Sequence, residues 1–294
     1  MFAGVAAYTL WGLFPLYFPL LEPAAPVEIL THRMVWSLVF VALVLAATTG
    51  FAWVRELGRR RAGLLFVAAI MVSTNWGVFI YGVNSGHVVE TSLGYFINPL
   101  VTVALAVVLL KESLRPAQRL AVAIAAVAVT LLTIDYGRLP WIALTLAFTF
   151  ATYGLLKKRA GVDGTQSLAV ETGFLALPAL AYLVVLEIAG DSTFTTEGPG
   201  HLALLASAGV VTAIPLMLFG AAAIRVPLAT LGLLQYIVPT LQFLIGVLIY
   251  DESMPASRLA GFGLVWLALI VLTYDAIHTA RSEHTALIPE PAPV

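Results

Sequence analysis

His32 and Arg33 are adjacent, about seven residues inside a long apolar run, and they carry the sharpest chemistry in the chain. A guanidinium offers a planar fork of N–H donors that can grip a carboxylate through two parallel hydrogen bonds. Placing such a charge within a membrane-spanning helix costs about 2.5–3.5 kcal/mol on insertion scales. Two plainer roles stand beside that one. The long side chain can reach the outer headgroups, or it can pair with Glu22 or Glu28. Glu28 and His32 are four apart, so they share a helix face and can interact. Glu171 lies in a later apolar run, a few residues from its start. Proton relays in membranes are built from buried acids and histidines. His32, Arg33 and Glu171 are therefore the candidates for carboxylate binding or for coupling. No Asp or Glu falls at the centre of an apolar run, so facilitated export and exchange fit equally well.

A second set is neutral. Polar side chains inside apolar runs are costly unless they face protein or water, so they point to a pathway. Helical spacing puts Gly77, Tyr81 and Asn84 on one face, with Asn75 in the same run, and Ser92, Tyr95 and Asn98 on another. Gln235, Pro239, Gln242 and Gly246 form a stripe with Tyr236 beside it. Tyr8, Trp11 and Pro15 make one face of the first run. Thr145, Thr149 and Thr152 do so in the sixth, with Tyr153 alongside. The expected substrate-binding set is Tyr8, Trp11, Asn75, Tyr81, Asn84, Tyr95, Asn98, Tyr153, Gln235, Tyr236 and Gln242. Pro15, Pro99 and Pro239 are the expected hinges, because proline removes a backbone donor and clashes with the preceding turn. Small and hydroxylated residues also glue helices together. Tyr and Trp also form interfacial belts, the expectation for Trp53 and Trp141.

The elements that must hold these residues are membrane spans. The 294 residues are 61% hydrophobic and 11% charged, with mean hydropathy +0.98. That apolar fraction is too high for one water-soluble core. The chain has no cysteine, which excludes disulfides and thiolate metal sites, and its net charge of −1 offers no basic patch for nucleic acid. The first apolar run has no basic leader or small-residue cleavage site and reads as a retained span. Spans need about 20 apolar residues. Ten candidates follow, at 3–20, 26–48, 64–84, 91–110, 117–135, 139–156, 167–188, 201–222, 227–250 and 256–277. Lys and Arg concentrate in the even-numbered breaks and after the last span, which predicts cytoplasmic termini. The Pro-rich C-terminal segment from Ser282 reads as disordered.

The second half repeats the first. Ser92–Asp135 aligns with Gly232–Asp275, matching Pro99 with Pro239, Phe96 with Tyr236, Glu112-Ser113 with Glu252-Ser253 and Asp135 with Asp275. Five spans per unit is an odd number, so the second unit enters from the opposite side. The expected fold is an all-α membrane protein of ten helices in two inverted repeats around a central cavity, residues 1–138 and 139–278, with a cytoplasmic tail at 279–294. Inverted repeats are the plan of secondary transporters. No HExxH, GxSxG or paired-aspartate motif supports an intramembrane enzyme, and no ring of charges or filter loop supports a channel.

The segments "YTLWGLFPLYF" (8–18), "PVEILTHRMVWS" (26–37), "NWGVFIYGVNSGHVVETSLGYFINPL" (75–100) and "LQYIVPTLQFLIG" (234–246) resemble the RarD-type, EamA-like branch of the drug/metabolite transporters. The resemblance covers about residues 5 to 277. It implies ten helices in two inverted repeats and carriage of small metabolites, notably amino acids, usually outward across the inner (plasma) membrane. Aromatic walls with a few amides suit a small amphipathic molecule. A neutral or aromatic amino acid leads as the substrate. A hydrophobic drug-like cation is second, since no central carboxylate is available to hold it. The expected partners are that small molecule and the bilayer, with no cofactor, metal or nucleic acid. A monomer is compatible with the sequence.

Overall fold

The computed structural model describes residues 2–110, 115–223 and 234–286. The Lys-Glu-Ser copy at 111–113, the break at 225–227, the start of the ninth expected span and the end of the tail lie outside these residues.

Among the described residues every regular element is helical. In chain order they are α1 (Phe2–Gly12), α2 (Phe14–Tyr17) with a 3-10 turn to Leu21, and α3 (Pro26–Ala47). Then come a 3-10 turn (Ala52–Glu56), α4 (Arg59–Asn84), α5 (Val88–Leu110), α6 (Pro116–Tyr136) and α7 (Trp141–Ala160). The rest are α8 (Gly164–Ala189), α9 (Thr193–Thr196), α10 (Pro199–Ala223), α11 (Ile237–Leu248) and α12 (Ala256–Ala286). Proline at the first helical turn starts α3 and α6, where its missing N–H is no loss. Asp163 caps α8 by accepting from the Thr165 and Gln166 amides. Gly161 and Gly190 end α7 and α8 in the left-handed conformation that glycine adopts without strain.

Six helices among the described residues are long and apolar enough to cross a membrane, and the bent pair α1 plus α2–Leu21 makes a seventh. Two shorter apolar helices lie at Trp141–Lys157 and Ile237–Leu248. Two ends and one break differ from expectation. α4 starts at Arg59 and takes in the arginines assigned to the preceding break. The break at 190–200 contains α9. α12 runs to Ala286, so residues 279–286 are helical where a disordered tail was expected.

The prolines act differently from one another. The chain breaks at Leu13, just before Pro15, and the two parts of the first span meet at 45°. Pro239 lies in the first turn of α11, behind a turn at Gln235-Tyr236. Pro99 is carried inside α5 without a break in the helix.

The packing is pairwise. α6 lies against α12, α5 against α7 and α11, and α4 against α7 and α8. α3 lies against α8 and α10, and α1 against α10 and α11. Small residues set these approaches, since van der Waals packing is what drives association between helices in lipid. Ala121, Ala125 and Ala128 form the buried face of α6, and Gly261 of α12 lies so near Leu132 that a Cβ there would be 2.5 Å away. Gly94 brings α5 onto Ala143 of α7. Gly209 brings α10 onto Trp36 of α3, where a Cβ would lie 2.3 Å from the backbone carbon. Gly209→Val should force α3 and α10 apart and lower stability by about 1–3 kcal/mol, the usual cost of overpacking. Thermal unfolding in detergent measures it. Gly263→Ala, with nothing within 4 Å of the added carbon, should leave the transition unchanged.

Candidate functional site

Arg33 sits on the eighth position of α3, and its side chain is 3% exposed. It neither reaches the outer surface nor pairs with Glu22 or Glu28, so both plainer expectations fail. Its Nε donates to Thr212 Oγ1 of α10 at 2.6 Å. The guanidinium lies 4.0 Å from the Trp76 ring centroid and 5.4 and 5.6 Å from Phe14 and Phe18. Desolvated cation–π contacts of this kind contribute about 2 kcal/mol or more. Its Nη1 is buried with no partner. The expected Glu28–His32 contact is also absent. Glu28 instead accepts from the Thr193 amide at the start of α9 at 2.8 Å. His32 stacks on Phe194 of α9, centroids 4.5 Å apart, with both ring nitrogens buried and unpartnered. His201 of α10 joins the same corner through Thr193 Oγ1 at 2.9 Å.

Inward of this corner the neutral set converges in part. Tyr8 and Trp11 of α1 pack edge-on with Phe219 of α10, centroids 5.6–5.9 Å apart. Gln242 of α11 is 1% exposed; its Nε2 donates to the Trp11 carbonyl at 3.4 Å and its Oε1 is unpartnered. Tyr95 of α5 donates to Asn75 Oδ1 of α4 at 3.1 Å. Asn75 Nδ2 in turn donates to Leu146 O and Thr149 Oγ1 of α7, at 2.9 and 3.0 Å. Asn98 donates to Ala147 O of α7 at 3.1 Å and accepts from Gln235 at 3.4 Å. These amides tie α4, α5 and α7 together. Tyr95 and Trp11 pack against the same two apolar clusters, which joins the amide chain to the Tyr8 aromatics.

Three expected residues lie elsewhere. Tyr81 is 43% exposed and faces Trp141 across 5.7 Å at the end of α4, the position of an interfacial aromatic. Asn84, at the last position of α4, makes no hydrogen bond through its buried Oδ1. Tyr236 packs on the core formed by α5, α6, α7 and α12.

Glu171 of α8 is 1% exposed and fully engaged. It accepts from Lys157 Nζ (3.0 Å) and Ser167 Oγ (2.6 Å) at one oxygen and from Tyr153 OH (3.1 Å) at the other. Tyr153, expected in the substrate set, is thus held to an acid on the neighbouring helix. Trp76, Thr212, Phe194 and Phe219 were not foreseen. Trp76, Thr212 and Phe219 sit in apolar runs but outside the polar sets that spacing marks, Phe194 sits in the break at 190–200, and only the fold brings them to Arg33, His32 and Trp11.

A third group closes one end of the molecule. Glu90 accepts from Arg138 (2.7 Å) and from the Ile142 amide of α7 (3.1 Å). Arg258 of α12 donates to Asp135 of α6 at 2.9 Å. Glu252 accepts from the Val88 amide and, at 2.9 Å, from the Val89 amide of α5. Burial raises the Glu252 carboxyl above its ordinary range, against the pull of the two amides. With Gly86, His87, Tyr136 and Ser253, Glu90, Arg138, Glu252 and Arg258 line a polar pocket of about 350 Å³.

Buried amides, an arginine without a carboxylate and aromatic walls, set among helices fit to cross a bilayer, are the makings of a carrier. The EamA-like transporter family matches residues 1–134. Protein RarD of Streptomyces exfoliatus is 57% identical over 97% of this chain and 91% of its own. The chain is a RarD-type member of the EamA-like transporter family. The uncharacterized transporter YojE of Bacillus subtilis is 42% identical over 94% of both chains. A solved crystal structure superposes with a TM-score of 0.56 over 92% of this chain and 95% of that one, and at 19% identity it speaks to the fold alone. The EamA-like chain is accordingly a multi-pass membrane transporter.

Removing Lys157 would leave the Glu171 carboxylate buried with hydroxyl donors only. Breaking a buried pair on one side costs about 3–5 kcal/mol, and less where one partner is partly solvated, as Lys157 is at 22% exposure. Lys157→Met should therefore lower thermal stability in detergent clearly, and Lys157→Met with Glu171→Gln should recover most of the loss.

Proposed function

We propose that this chain is a secondary transporter working by alternating access. Two inverted five-helix units, residues 1–138 and 139–278, move neutral or aromatic amino acids across the inner (plasma) membrane as an exporter or exchanger. The pattern of helix neighbours carries the reading. Exchanging the halves turns α1 into α7, α3 into α8, α4 into α10, α5 into α11 and α6 into α12. The pairs α6–α12, α3–α8 and α5–α11 then map onto themselves. α5–α7 becomes α11–α1, α4–α7 becomes α10–α1, and α3–α10 becomes α8–α4, all of which are packed pairs. The ion pairs agree: Arg258–Asp135 and Arg115–Asp275 each join α6 to α12, through the two aspartates that align in the repeat. A molecule whose neighbours are unchanged by swapping its halves can adopt two related states, open to opposite sides, about a site between the repeats.

The substrate class rests on the lining. Tyr8, Trp11, Phe219 and Tyr95 offer aromatic faces, and Gln242 has a free carbonyl oxygen beside Trp11. Apolar contact with a few orienting hydrogen bonds suits a small amphipathic molecule. A drug-like cation is the weaker reading, because each buried carboxylate near these helices is already engaged.

Two measurements test the proposal. The chain has no cysteine, so single introduced cysteines report without background. Cysteines at the exposed positions 85 and 195–197 should label from outside intact cells, and those at 55–63 and 157–166 should not; a shared orientation of the two halves would end the inverted-repeat reading. In proteoliposomes, neutral amino acids should show counterflow. Gln242→Ala should weaken it about two- to twelvefold, the range for one hydrogen bond, with the protein still monodisperse.

A further inference from the structure

We propose that Arg33 is a carboxylate-binding subsite, and that the transported molecule must carry a carboxylate to be held there. The observation behind it is a cation without an anion. Arg33 is 3% exposed inside a span, and among the described residues no Asp or Glu forms an ion pair with it. A buried charge in lipid surroundings is almost always paired or faces a pathway. The rest of the side chain is fixed. Thr212 holds Nε at 2.6 Å, and Cζ lies over the Trp76 ring at 4.0 Å from its centroid, with Phe14 and Phe18 beyond. Thr212 cannot swing away freely, because its own hydroxyl donates to Ala208 O at 2.7 Å. Nη1 of the same guanidinium is buried and unpartnered, so its N–H edge is left to bind a ligand. Such an edge binds a planar oxyanion well, because its donors point in fixed directions and the anion also neutralises the charge.

The neighbours narrow the ligand. Three aromatic rings within 5.6 Å of the guanidinium leave little room or polarity for a phosphate's hydration, but they suit a compact carboxylate joined to an apolar or aromatic body. Arg33 bridges the halves, since α3 and α2 belong to the first and Thr212 to the second. An anion bound there would touch both units, which is the position from which binding can bias one state over another.

The inference rests on the transporter reading above, and the experiment separates the two. Thermal unfolding of the purified full chain in detergent is followed with phenylalanine, phenylacetate, phenylalaninamide and phenethylamine as probes. The two carboxylates should stabilise it, and the amide and amine should bind roughly 10- to 100-fold more weakly, the loss expected for a hydrogen bond to a charged group. Arg33→Gln should abolish the carboxylate preference, and Arg33→Lys should keep part of it. Equal responses to carboxylate and amide, or a preference that survives in Arg33→Gln, would overturn the subsite. If Arg33→Gln does not fold, the comparison of probes on the unaltered protein still decides. Carboxylate binding at Arg33 without amino-acid counterflow would sink the amino-acid reading alone. Counterflow as fast for phenylalaninamide as for phenylalanine would sink the subsite alone.

Discussion

The scarcity of hydrogen-bond partners inside a bilayer governs this molecule. A polar group left alone in hydrocarbon costs several kcal/mol, so its polar side chains mostly serve to join one helix to another. The buried and half-buried carboxylates show this best. Glu28, Glu90 and Glu252 each accept from a backbone amide at or near the start of a helix far away in sequence: α9, α7 and α5 respectively. Those amides have no partner within their own helix, and the helix dipole favours negative charge there. A carboxylate from elsewhere in the chain thus does for these helices what an adjacent Ser or Asp does in soluble proteins. The buried amides of Asn75 and Asn98 work similarly within their helices, reaching carbonyls of α7 from α4 and α5.

Against that background the unpartnered groups stand out. Arg33 Nη1, both nitrogens of His32, Trp36 Nε1 and Gln242 Oε1 are buried and unanswered. They come from α3 and α11, on opposite sides of the α1–α2 break, where the first span turns through 45°. A bend there separates the Tyr8–Trp11 aromatics from the Phe14–Phe18 pair that faces Arg33, and so gives one span two walls.

Span positions were legible because hydrophobic length is a local property. α3 and α6 begin and end within a residue of expectation, since Pro26 and Pro116 punctuate their starts. Partners were not legible, because helix neighbours are chosen by long-range packing. Local spacing offered Glu22 and Glu28 to Arg33, while the fold supplied Thr212, 179 residues away. Lys157 read as a loop charge that sets orientation; in the structure it is also the cation for Glu171. Tyr81 shares its helix with Asn75, yet a surface aromatic and a buried amide cannot be told apart by spacing when lipid replaces water outside.

The Glu252 cap has a consequence in time. Val88 and Val89 find their carboxylate 164 and 163 residues further along the chain. At ribosomal rates of about 5–20 residues per second, that carboxylate is made roughly 8–33 s after them. Until then α5 stands in the membrane with its first amides uncovered, and its end is held by nothing from the later half. The first half of the chain is thus born incomplete at that end, and the segment that finishes it is the one linking α11 and α12.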